Sequence, residues 1–351
     1  MEIRNLGGSG LRVSAVGLGC NNFGQRTDLE TSRKVIHKAI DLGITLFDTA
    51  DIYAGRGGSE TVLGEVLGNR RKDIVLATKY CKPMSDDGTK QGASRRYIMN
   101  AVEDSLRRLK TDYIDLYWLH NWDRHTPIDE TMAALHDLVR AGKVRYLGIS
   151  DTPAWKTTQA QMIAQFRGWT PFIGLQIEYS LLERTVEGEL IPMAQELGMG
   201  VTPWSPLRSG LLSGKYTRAN AATVQPDKRT WVAGALNEEA YRVIDELQTI
   251  ARELDSTPAR VAVAWVQGRP GVSSTILGAR TLQQLDDNLA AIDVKLGADH
   301  IARLDALTRP KLNFPAEFLG MAGMIQAGGT VINGEVSQMS GFGVTRPGDH
   351  Y

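Results

Sequence analysis

Four polar side chains of complementary chemistry follow short apolar segments in the first third of the chain. They are Asp48 and Tyr53 in FDTADIYAGRGGSE, Lys79 in IVLATKY and His120 in YIDLYWLH. A phenol ordinarily titrates near about 10, a neighbouring ammonium lowers that pKa, and a carboxylate can hold the ammonium in place. With an imidazole to bind and orient a carbonyl oxygen, this set predicts protonation of an oxygen as hydride reaches its carbon.

Short apolar segments alternate along the chain with amphipathic stretches of helical period. The apolar segments cover 13–19, 44–50, 74–80, 113–120, 144–150, 173–180, 200–206 and 273–279. The helices that follow them are predicted near 31–42, 59–67, 94–109, 128–140, 153–165, 188–197, 237–267 and 281–291. The apolar segments lack polar alternation, as parallel strands buried on both faces do. Eight such units predict an α/β fold, a (β/α)8 TIM barrel, whose strand ends converge on one active site.

The ends of the chain are predicted to depart from this repeat. A GGSG turn within residues 1–14 predicts an N-terminal hairpin that closes the bottom of the barrel. No linker divides residues 1–312, so we expect one barrel domain there. Residues 313–351, after a last helix at 298–308, are rich in Gly and Met and predict a long C-terminal loop. Its apolar side chains favour burial, so we expect about 313–330 to cover the substrate pocket, and the further part could cover a neighbouring subunit instead.

Composition excludes several classes of partner. The 351 residues are 42% hydrophobic and 23% charged, with a formal net charge of +0. Without a Lys/Arg-rich run, neither nucleic acid nor an anionic membrane is expected as a partner. The two cysteines, Cys20 and Cys81, have no metal-ligand spacing and cannot form a disulfide framework, so we expect buried thiols and no metal. The first residues form no apolar signal core, which predicts a cytoplasmic protein.

The quoted motifs together resemble the aldo-keto reductase superfamily over about residues 1–310. These motifs are FDTADIYAGRGGSE, Lys79, DLYWLHNWD and VRYLGISD; PWSPL and GLLSGKY are similar to bacterial reductases and to proteins like potassium-channel β-subunits. The resemblance implies that Tyr53 is the catalytic acid/base, that Lys79 and Asp48 support it, and that His120 orients the carbonyl. It also implies a nicotinamide dinucleotide across the top of the barrel.

No G-x-G-x-x-G motif follows a strand, so a Rossmann site is not expected. The resemblance implies that Ser150, Asp151 and Gln176 hold the carboxamide, although Asp151 stands where asparagine is commoner. Two loops predict the phosphate and adenosine contacts, because glycines permit close backbone approach and a helix N-terminus favours anions. The predicted contacts are Trp204, Ser205, Leu207, Gly210, Leu212, Gly214, Lys215, Gly278, Arg280, Gln284 and Asn288. Arg280 resembles a 2′-phosphate ligand, so NADP(H) is favoured over NAD(H).

A small carbonyl compound or alcohol is the expected substrate, with Tyr80 and Trp122 as predicted pocket residues. Trp118, Trp155 and Trp231 are further indoles that could approach the mouth. Two other functions stay open: a cofactor-binding regulatory subunit, and a barrel glycosidase that uses Asp151 and Glu178. Homo-oligomerisation stays open as well.

Overall fold

The computed structural model describes residues 1–221, 223–224, 235–320 and 331–336. Eight parallel strands form one sheet in which strands that are consecutive in the chain are neighbours, and the last of the eight pairs with the first. These strands are β3 Val16–Gly19, β4 Leu46–Asp48, β5 Val75–Tyr80, β6 Ile114–Leu119, β7 Val144–Ser150, β8 Phe172–Glu178, β9 Gly200–Trp204 and β10 Thr275–Gly278. A parallel bridge between Val201 and Val272 joins β9 to the segment before β10. The predicted (β/α)8 TIM barrel is confirmed.

Helices surround this barrel. They are α1 Leu29–Asp41, α2 Tyr53–Val66, α3 Arg95–Leu109, α4 Ile128–Arg140, α5 Ala154–Arg167, α6 Leu190–Glu196, α7 Glu238–Glu253, α8 Pro258–Gln267, α9 Leu282–Leu289 and α10 Ala298–Leu307. The helical stretches predicted within 237–267 are the two helices α7 and α8, which are separated because Thr257 caps the backbone N–H of Arg260 and Pro258 begins a new first turn. Among the described residues no helix is both long and apolar enough to cross a bilayer.

An antiparallel hairpin precedes the barrel, as predicted. Its strands are β1 Ile3–Asn5 and β2 Arg12–Ser14. Leu6 and Val13 are fully buried in the same apolar cluster as the interior of the barrel. Gly7 has a φ of +59°, and a Cβ there would lie 2.3 Å from the carbonyl oxygen of Gly198. The hairpin therefore contacts the barrel closely enough that this position requires glycine.

A tryptophan fills the interior of the barrel. The ring of Trp118 on β6 is fully buried beside Ala77 and Leu116. Glycines on the next two strands leave room for it, since a Cβ on Gly148 would lie 2.2 Å from Trp118 and one on Gly174 would lie 2.9 Å away. Trp118 is therefore a core residue. It does not approach the mouth of the barrel, which was a possible location for it from sequence.

The described part of the C-terminal tail contains regular structure that a loop prediction did not include. A short helix, α11 Ala316–Leu319, is followed by a pair of two-residue strands, β11 Val331–Ile332 and β12 Glu335–Val336. Leu312 and Ala316 lie beside Gly188, near α6. Of the predicted pocket cover at 313–330, residues 321–330 lie outside the described residues. Trp231 lies outside them as well.

Candidate active site

Asp48, Tyr53, Lys79 and His120 meet at the C-terminal ends of β4, β5 and β6. Lys79 Nζ donates a hydrogen bond to an Asp48 carboxylate oxygen and another, 2.8 Å long, to the carbonyl oxygen of Thr49. The same nitrogen lies 3.4 Å from Tyr53 Oη. The ring centroids of Tyr53 and His120 are 5.7 Å apart, with their planes nearly perpendicular. The four side chains predicted from sequence therefore form one cluster.

The parallel strands explain this convergence. Asp48 is the last residue of β4, and it stands opposite Ala77 on β5. Lys79 lies two residues beyond Ala77, so its side chain points into the barrel on the same face. Tyr53 follows β4 on a turn in which its backbone N–H donates to the carbonyl oxygen of Ala50. The turn brings the phenol back over the strand ends, where Lys79 is held.

The protonation states of the cluster follow from burial and from its charges. Burial raises the pKa of the Tyr53 phenol above its ordinary value, and Lys79 opposes this shift without reversing it. The sequence-based expectation of a lowered phenol pKa is thus wrong for the free protein. Burial opposes the charge of Lys79, but Asp48 and Tyr53 outweigh burial and raise the pKa of Lys79. Both groups therefore carry their protons at neutral pH.

His120 is a neutral imidazole at neutral pH. Burial, assisted by the cations of Lys79 and Lys82, lowers its pKa well below the ordinary value. Its Nδ1 has no hydrogen-bond partner within the described part of the chain, although the residue is only 8% exposed. A neutral ring can donate one N–H to a carbonyl oxygen without giving up a proton, which suits an orienting role.

Ser150, Asp151 and Gln176 lie side by side at the ends of β7 and β8. Ser150 stands opposite Gln176 in the sheet register, and the backbone N–H of Asp151 donates to the carbonyl oxygen of Gln176. Gln176 Nε2 donates to Asp48 Oδ1 over 3.1 Å, which links this trio to the cluster of Asp48, Tyr53, Lys79 and His120. Ser150 Oγ is buried and faces the Asp151 carboxyl group, with no other partner among the described residues. A hydroxyl beside an amide and a carboxyl group fits the donors and acceptor of a carboxamide.

The loop after β9 carries several of the predicted cofactor contacts, and some of them lie near the mouth of the barrel. Trp204 Nε1 donates to Asp151 Oδ1 over 3.1 Å. Gly210 has a φ of +94°, and no atom of the surrounding described residues lies within 4 Å of where its Cβ would stand, so a phosphate could approach its backbone. Ser205 also has a positive φ, of 54°. Lys215 is exposed.

Two other residues of this loop have packing roles instead. The side chain of Leu212 is fully buried in the core, and its N–H donates to the carbonyl oxygen of Leu207. Gly214 packs on Pro258, and a Cβ there would come within 3.0 Å of that ring. Turn closure and core packing account for these contacts, and the assignment of both residues as cofactor contacts stays a prediction.

The loop after β10 keeps its predicted residues together at the start of α9. Thr281 caps this helix by accepting from the N–H of Gln284, and Gln284 Oε1 in turn accepts from the N–H of Arg280. Asn288 Nδ2 donates to the carbonyl oxygen of Gly278. The Arg280 side chain is exposed and forms no ion pair within the described ranges. A free guanidinium therefore stands at a helix N-terminus, a favourable place for a phosphate.

Comparison with known proteins agrees with this geometry. The model of the aldo/keto reductase family matches residues 15–309. The chain belongs to the aldo/keto reductase family. It is 41% identical over 315 residues to the uncharacterized oxidoreductase YrpG of Bacillus subtilis (strain 168), covering 87% of this chain and 95% of that protein.

Two further relatives have names that point to different roles. A probable voltage-gated potassium channel subunit beta of Oryza sativa subsp. japonica is 34% identical over 325 residues, covering 89% of this chain and 98% of the relative. The versiconal hemiacetal acetate reductase of Aspergillus parasiticus is 34% identical over 345 residues, covering 90% of this chain and 100% of the relative.

Tyr80 does not lie at the mouth of this aldo/keto reductase. Its side chain is fully buried and stacks on Tyr117, with ring centroids 4.9 Å apart, in the layer between strands and helices. Alternate residues of a strand point to opposite faces, so an inward Lys79 requires an outward Tyr80. The prediction of Tyr80 as a pocket residue is wrong for that reason.

Trp122, the other predicted pocket residue, packs against Trp155, which could not be assigned to the mouth from sequence. Its ring meets Trp155, on the first turn of α5, edge to face at a centroid distance of 5.4 Å. Trp155 is 58% exposed, and Lys156 Nζ lies 4.6 Å from the centroid of its ring. The loops after β6 and β7 therefore present an exposed apolar wall with a cation beside it.

Arg208 is a site-forming residue that sequence reasoning missed. It forms an ion pair with Glu178, the last residue of β8, and has a φ of 47°. The signal in the sequence is a cation inside the glycine-containing loop, at PLRSG. Because Glu178 pairs with Arg208 and Asp151 accepts from Trp204, the two carboxylates considered for a glycosidase both have other partners.

Proposed function

We propose that this aldo/keto reductase is an NADP(H)-dependent oxidoreductase that interconverts a carbonyl compound and an alcohol, with Tyr53 as the acid/base. The observation that carries the proposal is the contact of 3.4 Å between Tyr53 Oη and Lys79 Nζ, at the same strand ends as His120. Family membership and the reductase name of one relative support an oxidoreductase acting on carbonyl compounds.

Each side chain of the cluster has a chemical task in this reaction. The nicotinamide cofactor, when bound, supplies or accepts the hydride. His120 donates an N–H to the carbonyl oxygen and orients it beside Tyr53. Tyr53 gives its proton to that oxygen as negative charge develops there, and in the reverse direction the phenolate removes it. Lys79 stabilises the phenolate, while Asp48 keeps the ammonium in position.

NADP(H) is favoured over NAD(H) because of Arg280. Its exposed guanidinium at the start of α9 can form charge-assisted hydrogen bonds with a 2′-phosphate. Ser150, Gln176 and Asp151 are proposed to bind the carboxamide. Asp151 can accept a carboxamide N–H, whereas the Ser150 hydroxyl, which faces Asp151, can donate to the carboxamide oxygen.

The test is Tyr53→Phe, which removes the proton donor and keeps the ring. Turnover of the best substrate from a panel of aldehydes, ketones and secondary alcohols should fall by about 10²–10⁴-fold. NADPH affinity, measured by fluorescence quenching, should stay within a few-fold. Tyr113→Phe is the matched control, since Tyr113 lies before β6 at the opposite end of the barrel, between Arg71 and Arg145. Near-normal turnover by Tyr53→Phe would exclude Tyr53 as the acid/base.

A second candidate function follows from the relatives named as channel β-subunits. A regulatory subunit could retain the whole cluster and bind the cofactor without turnover. The same panel separates the two, because NADPH binding with no turnover on any member would favour the regulatory role over the enzymatic one.

A further inference from the structure

A second cluster of titratable groups lies buried behind the turn that carries Tyr53. It contains the carboxyl groups of Asp51, 1% exposed, and Glu60, fully buried. Thr78 Oγ1 and Arg108 Nε donate to the two oxygens of Glu60 over 2.5 Å and 2.6 Å. Asp51 Oδ2 accepts from Tyr97 Oη over 3.4 Å, and its Oδ1 has no hydrogen-bond partner within the described part of the chain. Arg108 thus serves Glu60 and leaves Asp51 without a cation of its own.

The backbone around Asp51 is the turn that positions the phenol. The N–H of Asp51 donates to the carbonyl oxygen of Lys79 over 3.1 Å, and Tyr53 follows two residues later. Directly after Tyr53, the residues Ala54, Gly55, Arg56 and Gly57 have positive φ values of 55°, 75°, 69° and 110°. Two of these are not glycine, so contacts with the surroundings must maintain the turn against its local preference.

Arg108 is one of those contacts. A Cβ on Gly57 would lie 2.5 Å from Arg108 Cδ, so the arginine side chain packs directly against the backbone of the turn. The same arginine pairs with Glu60 on α2. The Arg108 side chain therefore contacts both the buried carboxylate of Glu60 and the turn that carries Tyr53.

The charge state of Asp51 decides whether Arg108 has a competing partner. Burial, reinforced by Glu60 and opposed by Arg108, raises the pKa of Asp51 to about 8. The N–H of Ile52 and the hydroxyl of Tyr97 also face this carboxyl group. The nearby Cys81, Tyr97 and Tyr117 stay neutral in this range, because burial raises the pKa of Cys81 to about 12 and raises the pKa of both phenols above their ordinary value.

We propose that Asp51 is a positioning residue for Tyr53. With a neutral Asp51 carboxyl group, Arg108 stays on Glu60 and under Gly57, and the turn holds the phenol against Lys79. When Asp51 loses its proton to solvent, the new carboxylate repels Glu60 and attracts Arg108, so the turn loses its support. The effect on catalysis rests on the proposed function, whereas the coupling between Asp51 and the turn does not.

The coupling is tested by NMR with tyrosine labelled at Cζ with ¹³C, the Tyr53 signal being assigned with Tyr53→Phe. In the wild type, the Tyr53 signal should shift in one step between about pH 7 and 9. Asp51→Asn should abolish the step. Tyr97→Phe, which removes a hydrogen bond that stabilises the carboxylate, should move its midpoint upward. A wild-type signal without a step, or the same step in Asp51→Asn, would overturn the proposal.

The kinetic consequence is tested separately. For carbonyl reduction by the wild type, kcat/KM should fall through the pH range of the NMR step. In Asp51→Asn it should stay level until the ionisation of Tyr53 itself, at higher pH. Overlapping profiles of wild type and variant would contradict the positioning role, even with the enzyme active. No wild-type turnover on any substrate, with the NMR step present, would instead contradict the proposed function and leave the coupling supported.

Discussion

The proton on Tyr53 depends on two opposed effects of its surroundings. Lys79 favours the phenolate, but burial favours the neutral phenol and is the larger effect. A neutral phenol beside a cation can donate its proton readily, because the cation stabilises the negative charge that develops on the phenol oxygen as the proton leaves. Asp48 and Gln176 add to this arrangement by fixing the ammonium and the carboxylate relative to one another.

Arg280→Ala tests the assignment of the cofactor at this scale. If the guanidinium pairs with a 2′-phosphate, the variant loses a charge-assisted contact worth about 1.5–3 kcal/mol. The affinity for NADPH should then fall about tenfold or more. NADH affinity should hardly change, since it lacks that phosphate. Binding of both cofactors is measured by fluorescence quenching, with Arg33→Ala on α1 as the control. Equal losses for the two cofactors would mean that Arg280 has a structural role instead.

Asp51→Asn should change the pH dependence of folding stability. The pKa of Asp51 is about 8 in the folded protein against an ordinary 3.8. The neutral acid is thus favoured in the native state. Its contribution to the free energy of unfolding is complete below the pKa that Asp51 has in the unfolded chain, and it is lost as pH rises toward the pKa that Asp51 has in the folded protein. One such proton contributes a slope of up to about 1.4 kcal/mol per pH unit.

Urea unfolding measured from about pH 4 to 8 should therefore show wild-type stability falling relative to Asp51→Asn. Asp28→Asn, at the exposed cap of α1, is the control for a carboxyl group outside the cluster. Parallel curves for wild type and Asp51→Asn would show that Asp51 is ionised throughout this range.

At the scale of elements, one strand serves both the core and the site. Trp118 on β6 fills the barrel, while His120 directly after β6 reaches the mouth. The ring of Trp118 fits only because β7 and β8 carry Gly148 and Gly174 opposite it. Packing inside the barrel therefore fixes the position of β6 along the barrel axis, and with it the position of His120 relative to the other strand ends.

Gly148→Ala should destabilise the protein by overpacking this interior. The added methyl group would stand 2.2 Å from the Trp118 ring, and a rigid indole cannot move aside as a flexible side chain would. Overpacking of this kind costs about 1–3 kcal/mol. The free energy of unfolding in urea measures it, with Gly10→Ala as the control because no atom lies within 4 Å of a Cβ there. Equal stability of the two variants would show that the barrel adjusts around Trp118.

At the scale of the whole molecule, α10 is fastened to the barrel by a partly buried polar network. Arg184 pairs with Glu187 and donates to Thr308 over 2.8 Å. Asp305 accepts from Trp265 Nε1 and pairs with Arg269. All of these contacts precede residue 313, so the barrel is secured before the tail begins.

Truncation after Leu312 should for this reason leave folding and NADPH binding largely intact. If the nearer part of the tail covers the pocket, KM or the order of preference among substrates should change several-fold while the melting temperature stays within a few degrees. Steady-state kinetics and thermal unfolding of the truncated and full-length proteins measure the two effects. Unchanged kinetics on the best substrate would show that the tail does not cover the pocket.

Much of the fold and the core of the site could be predicted from sequence, because both depend on local patterns. Eight apolar segments separated by helical periods specify parallel strands, and the ends of parallel strands must meet. Asp48, Lys79 and His120 therefore belong together by position alone. Strand alternation would also have placed Tyr80 outward once Lys79 was assigned inward, so that error was avoidable.

Only the tertiary structure decided the properties that depend on distances between remote segments. The raised pKa of Tyr53 results from burial by the assembled barrel, which no motif records. Leu212 and Gly214 make core and helix contacts that a glycine-containing loop sequence does not reveal. The pairing of Arg108 with Glu60 joins residues 48 positions apart and leaves Asp51 without a cation. Charge and burial act through space, so their balance exists only after the chain has folded.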